Sequence, residues 1–411
     1  MERIELLAPA GDLEKLKIAC HYGADAVYFG GESFSLRAGA GNLSIAEMQE
    51  GIRYAHERGV RCYLTLNIYA HNEDIEPLKE YLETIREIPI DAFLVSDPGV
   101  ICLLREIIPD AQIHLSTQAN MTNYVTARFW YDLGVRRIVL ARELSFREIA
   151  ELSAHIPEDM ELEAFVHGAM CISYSGRCLL SNAMTGRDAN RGLCAHPCRY
   201  KYTLMEEKRP GEYFPIEEDA RGTYIMNSKD LCMIRHVPEL IQSGIISAKI
   251  EGRMKSIFYV AQVLRAYRHA IDTYYADPDA YEFREEWLTE LEKASHREFT
   301  TGFYFQKPGP DDQNYRTSAY VREYSFTGIV RDYDPETGFA LVEQRNKMRI
   351  GDTIEVFGPG ISFFEQNLSE MYDAETGEPL ESAPHPQQLL KIRLDQPAAP
   401  DDMLRMAVPK E

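Results

Sequence analysis

The sequence predicts an α/β fold. It reads as a (β/α)8 TIM-like barrel with a Cys-rich insertion, followed by a small C-terminal antiparallel β-barrel. Three observations carry this. Eight short apolar segments alternate with amphipathic helical stretches up to about residue 255, and such alternation implies parallel strands joined by crossover helices. Nearly every apolar segment ends in a polar or ionisable side chain, as the strands of an α/β barrel do at the face that carries its chemistry. From about residue 325 the period changes to short alternating strands with turn signals.

The strand segments, in order, are 4–11, 26–31, 61–70, 92–99, 113–120, 137–145, 161–170 and 248–253. Helical stretches at 12–23, 44–59 and 145–156 place apolar residues at helical spacing, and some begin with Asp or Ser, which cap the first free N–H groups. Residues 171–226 are too long for a simple connection between strands seven and eight, so they read as a functional insertion. Residues 257–277 read as a long helix, with further charged helix to about 297. The expected boundaries are 1–300 for the barrel, 301–324 for a linker and 325–411 for the second domain.

The chain has 411 residues and a net charge of −21, which argues against an overall basic nucleic-acid binder but leaves room for a local cationic surface. No apolar run approaches the ~20 residues of a membrane helix. The opening MERIELLAPAGDLEK is acidic and lacks a long apolar stretch, so a signal peptide is not expected and the expected location is cytoplasmic. In that compartment a cluster of cysteines reads as metal-binding or catalytic rather than as a disulfide framework.

The strand ends supply Gly30, Gly31 and Glu32, then Asn67, Asp97, Gln118 with Asn120, Arg142 with Glu143, His167, and Glu251 with Arg253. Of these, Asn67, Gln118, Arg142, His167, Glu251 and Arg253 are the candidate substrate-binding residues. Arg142, Arg253 and Lys255 suit a carboxylate or phosphate, because guanidinium matches such groups bidentately. A rim salt bridge such as Arg142 with Glu251 is the competing structural reading.

The strongest signal is Cys171, Cys178, Cys194 and Cys198, spaced C-x6-C-x15-C-x3-C directly after strand seven. Thiolates are the usual ligands of iron–sulfur clusters and of structural zinc. Zinc favours two close pairs, and only Cys194–Cys198 is one. The open spacing favours a cluster, while zinc and a set of buried or redox thiols stay open. Cys232 is a minor rival ligand; Cys20, Cys62 and Cys102 sit in regular elements and read as core. Arg177, Arg187, Arg191, Arg199 and Lys201 make the insertion locally basic, which suits phosphates or offsets thiolate charge.

The segments LLAPAGDLEKLKIACHYGADAVYFGG, EAFVHGAMCISYSGRCLLS, KIEGRMKS and SHREFTTGFYF together resemble the collagenase-like family filed among peptidases of unassigned mechanism. RPGEYFPIEEDARGTYIMNSKDL and the C-terminal barrel resemble that family's RNA-hydroxylating branch. The resemblance implies an oxygen-sensitive 4Fe-4S cluster, placed residue by residue on Cys171, Cys178, Cys194 and Cys198. It also implies oxygen-independent 5-hydroxylation of the wobble uridine in the tRNA anticodon loop, with prephenate required. Tyr28, Tyr69 and Tyr174 are then candidate stackers for a splayed base. Two alternatives remain. A protease would use a thiol near a histidine, with His167 four residues before Cys171, although the HExxH and GxSxG motifs are missing. A non-catalytic iron–sulfur scaffold would recruit partners through the C-terminal barrel and its basic turn RNKMR (345–349).

Overall fold

A computed structural model of the chain describes residues 3–32, 34–35, 42–171, 173–174, 178–187, 189, 193–199, 203–204, 214–215, 229–307 and 321–408. The chain divides into two compact units. The first comprises Met1–Cys20, Ala24–Lys255 and Arg297–Tyr320, and the second His21–Gly23, Ser256–His296 and Val321–Glu411.

The first unit is a closed parallel barrel. Its strands are β1 (Glu5–Pro9), β2 (Ala26–Gly30), β3 (Arg61–Leu66), β4 (Ala92–Val95), β5 (Ile113–Leu115), β6 (Arg137–Val139) and β7 (Glu161–Ala169). A short ribbon of β8 (Thr203–Leu204) and β9 (Phe214–Pro215) lies in the insertion; β10 (Asp230–Cys232) and β11 (Ser247–Ile250) follow. β11 pairs with both β1 and β7, so Lys249 stands opposite Leu7 on one side and Phe165 on the other, and the ring closes. Every expected barrel strand is present. β1 and β2 are buried along their whole length, as expected where helices cover the outer face. Those helices are α1 (Leu13–His21), α2 (Ile45–His56), α3 (Ile75–Ile85), α4 (Pro98–Ile107), α5 (Tyr124–Asp132) and α6 (Phe146–Ser153), with short α7 (Leu180–Thr185) and α8 (Val237–Gln242) further on. Ser44 with Glu47 and Ser145 with Glu148 form capping boxes that start α2 and α6.

β7 runs nine residues, longer than the other barrel strands. Its end leaves the barrel at Gly168, whose φ of 107° favours glycine. There it pairs antiparallel with β10, Ala169 opposite Asp230 and His167 opposite Cys232. β12 (Phe299–Thr300) adds to β10 in parallel. Cys232, weighed as a rival cluster ligand, is a buried residue of this strand.

The second unit contains α9 (Ile257–Ala276), α10 (Glu285–Glu292) and an antiparallel sheet. Its strands are β13 (Tyr324–Asp334), β14 (Phe339–Gln344), β15 (Met348–Arg349), β16 (Thr353–Phe357), β17 (Phe363–Asn367), β18 (Met371–Asp373), β19 (Ser382–Ala383), β20 (Leu389–Arg393) and β21 (Met403–Ala407). Seven of them run in the order β17-β16-β21-β13-β14-β20-β18, a half-barrel over a core that includes Val342, Ile354, Leu390 and Leu404. The unit boundaries differ from the 1–300 and 325–411 read in the sequence, because α9 and α10 are knotted to this sheet by charge. Arg405 donates to both oxygens of Glu290 at 2.8 and 3.0 Å and to Glu355 at 2.6 Å. Arg265 reaches Glu290 at 2.9 Å and the Ile361 carbonyl at 2.6 Å; Lys293 bridges Glu290 and Glu355 at 2.9 Å each. Among the described residues no helix is long and apolar enough to cross a membrane.

Candidate functional site

Six buried residues from five strands, Glu5, Tyr63, Arg137, Glu163, Ser247 and Lys249, meet inside the barrel and form its floor. Arg137 of β6 donates to Glu5 of β1 at 2.6 Å and lies 3.5 Å from Glu163 of β7. Lys249 of β11 donates to Glu163 at 2.6 Å and sits 4.3 Å over the Tyr28 ring. Tyr63 and Ser247 donate to Glu5 at 2.7 and 2.8 Å. Burial pushes the Glu5 carboxyl up, but Arg137 and Arg61 outweigh it and hold it below its ordinary value. Burial lowers Lys249, and Glu163 offsets only part of that. His114, edge-on to Tyr63 at 4.8 Å, is held well below 6.5 by burial and then by Arg137, Lys249 and Arg61. It stays neutral at pH 7 as a result.

The mouth lies at the C-terminal ends of these strands. Arg253, buried after β11, donates to Ser35 at 2.8 Å, Thr65 at 3.1 Å and Asn42 at 2.6 Å. A Cβ on Gly30 would strike all three of Arg253, Ser35 and Asn42, so the close approach requires glycine. Arg142 donates to the Ala169 carbonyl at 2.7 Å and to Glu251 at 3.1 Å, with its guanidinium 3.8 Å over Phe165. The rim salt bridge weighed against a binding role is thus present. The same arginine also fixes the strand end from which the cysteine loop departs. Its Nε is buried without a hydrogen-bond partner. Gln118 is buried; its carbonyl accepts from Tyr69 at 3.0 Å and from Asn120 at 2.7 Å, while its side-chain Oε1 has no partner. Such orphaned atoms are uncommon in folded proteins and call for a physical account.

The structure brings Arg142, Glu251 and the end of β7 together, and separately gathers Arg253, Ser35, Asn42 and Thr65. Asn67 is half-buried and its carbonyl accepts from Ser96 at 3.3 Å. His167 is buried, its ring 5.6 Å from Phe299. Asp97 caps α4 through Gly99 and Val100, which accounts for it structurally. Tyr28 is buried under Lys249 and Tyr69 is tied to Gln118, whereas Tyr174 is exposed. The floor was missed in the sequence, although Glu5, Arg137, Glu163 and Lys249 are charges placed inside otherwise apolar strand segments, which is a readable signal.

Cys171 is exposed, and Cys178, Cys194 and Cys198 are half-buried; all four are free thiols. Cys194 Sγ accepts from the His196 N–H at 3.4 Å and lies 3.9 Å from His196 Nδ1. Ser181 of α7 anchors the same turn through the Ala195 N–H at 3.0 Å. Four soft donors free of disulfides, one already taking a backbone N–H, fit a thiolate-bound cluster, whose sulfurs are tuned by such hydrogen bonds. Arg187 is exposed. Arg177, Arg191, Lys201 and the Arg199 side chain lie outside the described residues.

Fold and site define an α/β-barrel protein with a charged floor, a polar mouth and a thiol-bearing loop at the end of strand seven. Residues 11–314 match the model of peptidase family U32 and residues 322–405 match the U32 C-terminal domain. The chain belongs to peptidase family U32. It is 44% identical to tRNA hydroxylation protein P1 of Bacillus subtilis over 402 residues, covering 98% of this chain and 94% of the relative. It is 39% identical to tRNA hydroxylation protein P of Escherichia coli, covering 93% and 92%. It is also 32% identical to a collagenase of Porphyromonas gingivalis, covering 97% of each.

Proposed function

We propose that this protein hydroxylates RNA, and specifically that it carries out prephenate-dependent 5-hydroxylation of the wobble uridine in tRNA. A 4Fe-4S cluster would be held by Cys171, Cys178, Cys194 and Cys198. Similarity along nearly the whole chain to proteins named for tRNA hydroxylation supports the RNA reading. The observation that carries it to this site is the departure of the four-thiol loop from the strand end that Arg142 holds.

Turning C5–H into C5–OH adds one oxygen atom and withdraws two electrons from the base, so with water as the oxygen source it releases two protons and needs an external acceptor for two electrons. A bound cluster would supply one-electron redox chemistry through which those electrons could pass singly to that acceptor. The chain's own residues bind and orient. Gln118 Oε1 is a buried acceptor suited to an N–H or O–H of the ligand, and Arg142 Nε is a buried donor suited to its oxygen. Arg142 and Arg253 suit the two carboxylates of prephenate. Tyr174 offers an exposed ring on which a splayed base can stack. With a net charge of −21, RNA contact is confined to a local surface around Arg187 and its basic neighbours.

The test is anaerobic purification with iron and sulfide counts, then incubation with unmodified tRNA and prephenate, read by mass spectrometry of the nucleosides. The reading expects a cluster, and hydroxyuridine formed only with prephenate. Both should be lost when any of Cys171, Cys178, Cys194 or Cys198 becomes Ala. A metal-free protein, or hydroxylation that survives those changes, would overturn it. The Cys194–His196 contact favours proteolysis as a second reading. Gelatin cleavage by cluster-free, reduced protein, abolished by His196→Ala, would support that reading instead.

A further inference from the structure

At the face opposite the mouth, three metal-capable side chains from three elements converge. His56 ends α2, Cys62 is the second residue of β3, and Asp91 directly precedes β4. Their ligand atoms all lie within 4.8 Å of one another. His56 Nε2 is 2.8 Å from Asp91 Oδ2, and the same oxygen accepts the Cys62 N–H at 2.7 Å. We propose that His56, Cys62 and Asp91 form a second metal site, separate from the cysteine loop, for a divalent ion of the zinc class.

One nitrogen, one sulfur and one carboxylate oxygen make a donor set of intermediate softness, which suits zinc rather than calcium or magnesium. Zinc bonds of about 2.0–2.3 Å in a tetrahedron set ligand atoms roughly 3.4–3.6 Å apart. The cluster reaches that spacing if the thiol closes in and the His56–Asp91 hydrogen bond opens to admit the ion. Cys62 is fully buried, whereas the His56 and Asp91 side chains are 35% and 32% exposed, so solvent can enter as a fourth ligand. Burial keeps the thiols of Cys62 and nearby Cys20 protonated without metal, that of Cys20 pushed up to about 12. Binding releases the Cys62 proton as the metal–sulfur bond forms. The ion would join the end of α2 to the starts of β3 and β4, on the barrel face that serves stability rather than chemistry.

The test uses the full-length chain with its loop cysteines intact in every sample, so that their metal uptake cancels. Zn2+ alone is titrated into wild type and His56→Gln, whose surface position keeps the variant folded. The wild type should bind one equivalent more and gain thermal stability that the variant does not. Co2+ should give a sulfur-to-metal charge-transfer band that weakens in Cys62→Ser. Equal zinc stoichiometry in wild type and His56→Gln, or a cobalt spectrum unchanged by Cys62→Ser, overturns the proposal.

Discussion

In the second unit Arg265, Lys293 and Arg405 share Glu290 and Glu355, and the surplus positive charge is taken up by backbone carbonyls of residues 360–362. In the barrel Arg61, Arg137 and Lys249 meet Glu5, Glu161 and Glu163. Both networks bury ions, at a desolvation cost that only good geometry repays. They differ in how the charge closes. The second unit sets three cations on two carboxylates and completes the balance with backbone carbonyls, whereas the barrel sets three cations on three carboxylates. Beyond the ends of β5 and β6, at the mouth, the barrel also carries the buried unpartnered atoms Gln118 Oε1 and Arg142 Nε, which keep capacity for a ligand.

The largest effect that separates the two is expected at Arg405. Arg405→Met removes three hydrogen bonds from two buried carboxylates and should cost about 3–5 kcal/mol in chemical unfolding of the full chain. Mouth chemistry per folded molecule should be unchanged. A loss under ~1 kcal/mol would mean that the knot is not a closed unit. Next comes Gly30→Ala, which drives a methyl into Arg253, Ser35 and Asn42. Displacing such a positioned group should lower RNA modification about 100-fold. Stability should fall by only about 1–3 kcal/mol. If stability collapses and the remaining folded enzyme keeps full activity, Arg253 belongs to the frame and not to the site.

The smallest effect is a matter of pH. His114 is depressed well below 6.5, chiefly by burial. As pH falls below 6.5 the unfolded chain takes up this proton first, so stability is lost from there downward, by at most about 1.4 kcal/mol per pH unit. Burial pushes Glu290 up, but Arg405, Arg265 and Lys293 bring its net value below 4.5, so its contribution is present above 4.5 and is lost as pH falls further. Unfolding followed from pH 7 to 4 should show a first loss below 6.5, to which His269 of the second unit, also lowered by burial, contributes, and His114→Phe should shrink that limb without touching the one below 4.5. An unchanged limb in the variant would assign the acid sensitivity elsewhere.

Much of this frame is legible in the sequence, since hydrophobic periodicity reports each strand and helix on its own. All eight barrel strands and the long helix fall where periodicity puts them, because each reports a buried face. Periodicity does not say which body a face is buried against, which is why α9 and α10 were read with the barrel. The thiol loop was visible because its ligands are close in sequence. The Arg137–Glu5 pair, joined across the barrel from residues 132 apart, was not. Asp97 was legible as polar at a strand end, but a strand end is also a helix start, and capping won there.

The pairing of β7 with β10 reaches further than its few hydrogen bonds. Ala169 and Asp230 stand opposite each other, so the excursion between them starts and finishes at one clasp supplied by the sheet. Its chain ends are brought together before any ligand arrives, and lengthening it would add only about 0.6 kcal/mol per doubling. Because both ends of residues 170–229 are held at this one clasp, the barrel strands carry the entropy of closing the excursion, and its four cysteines leave and return at the same edge of the mouth.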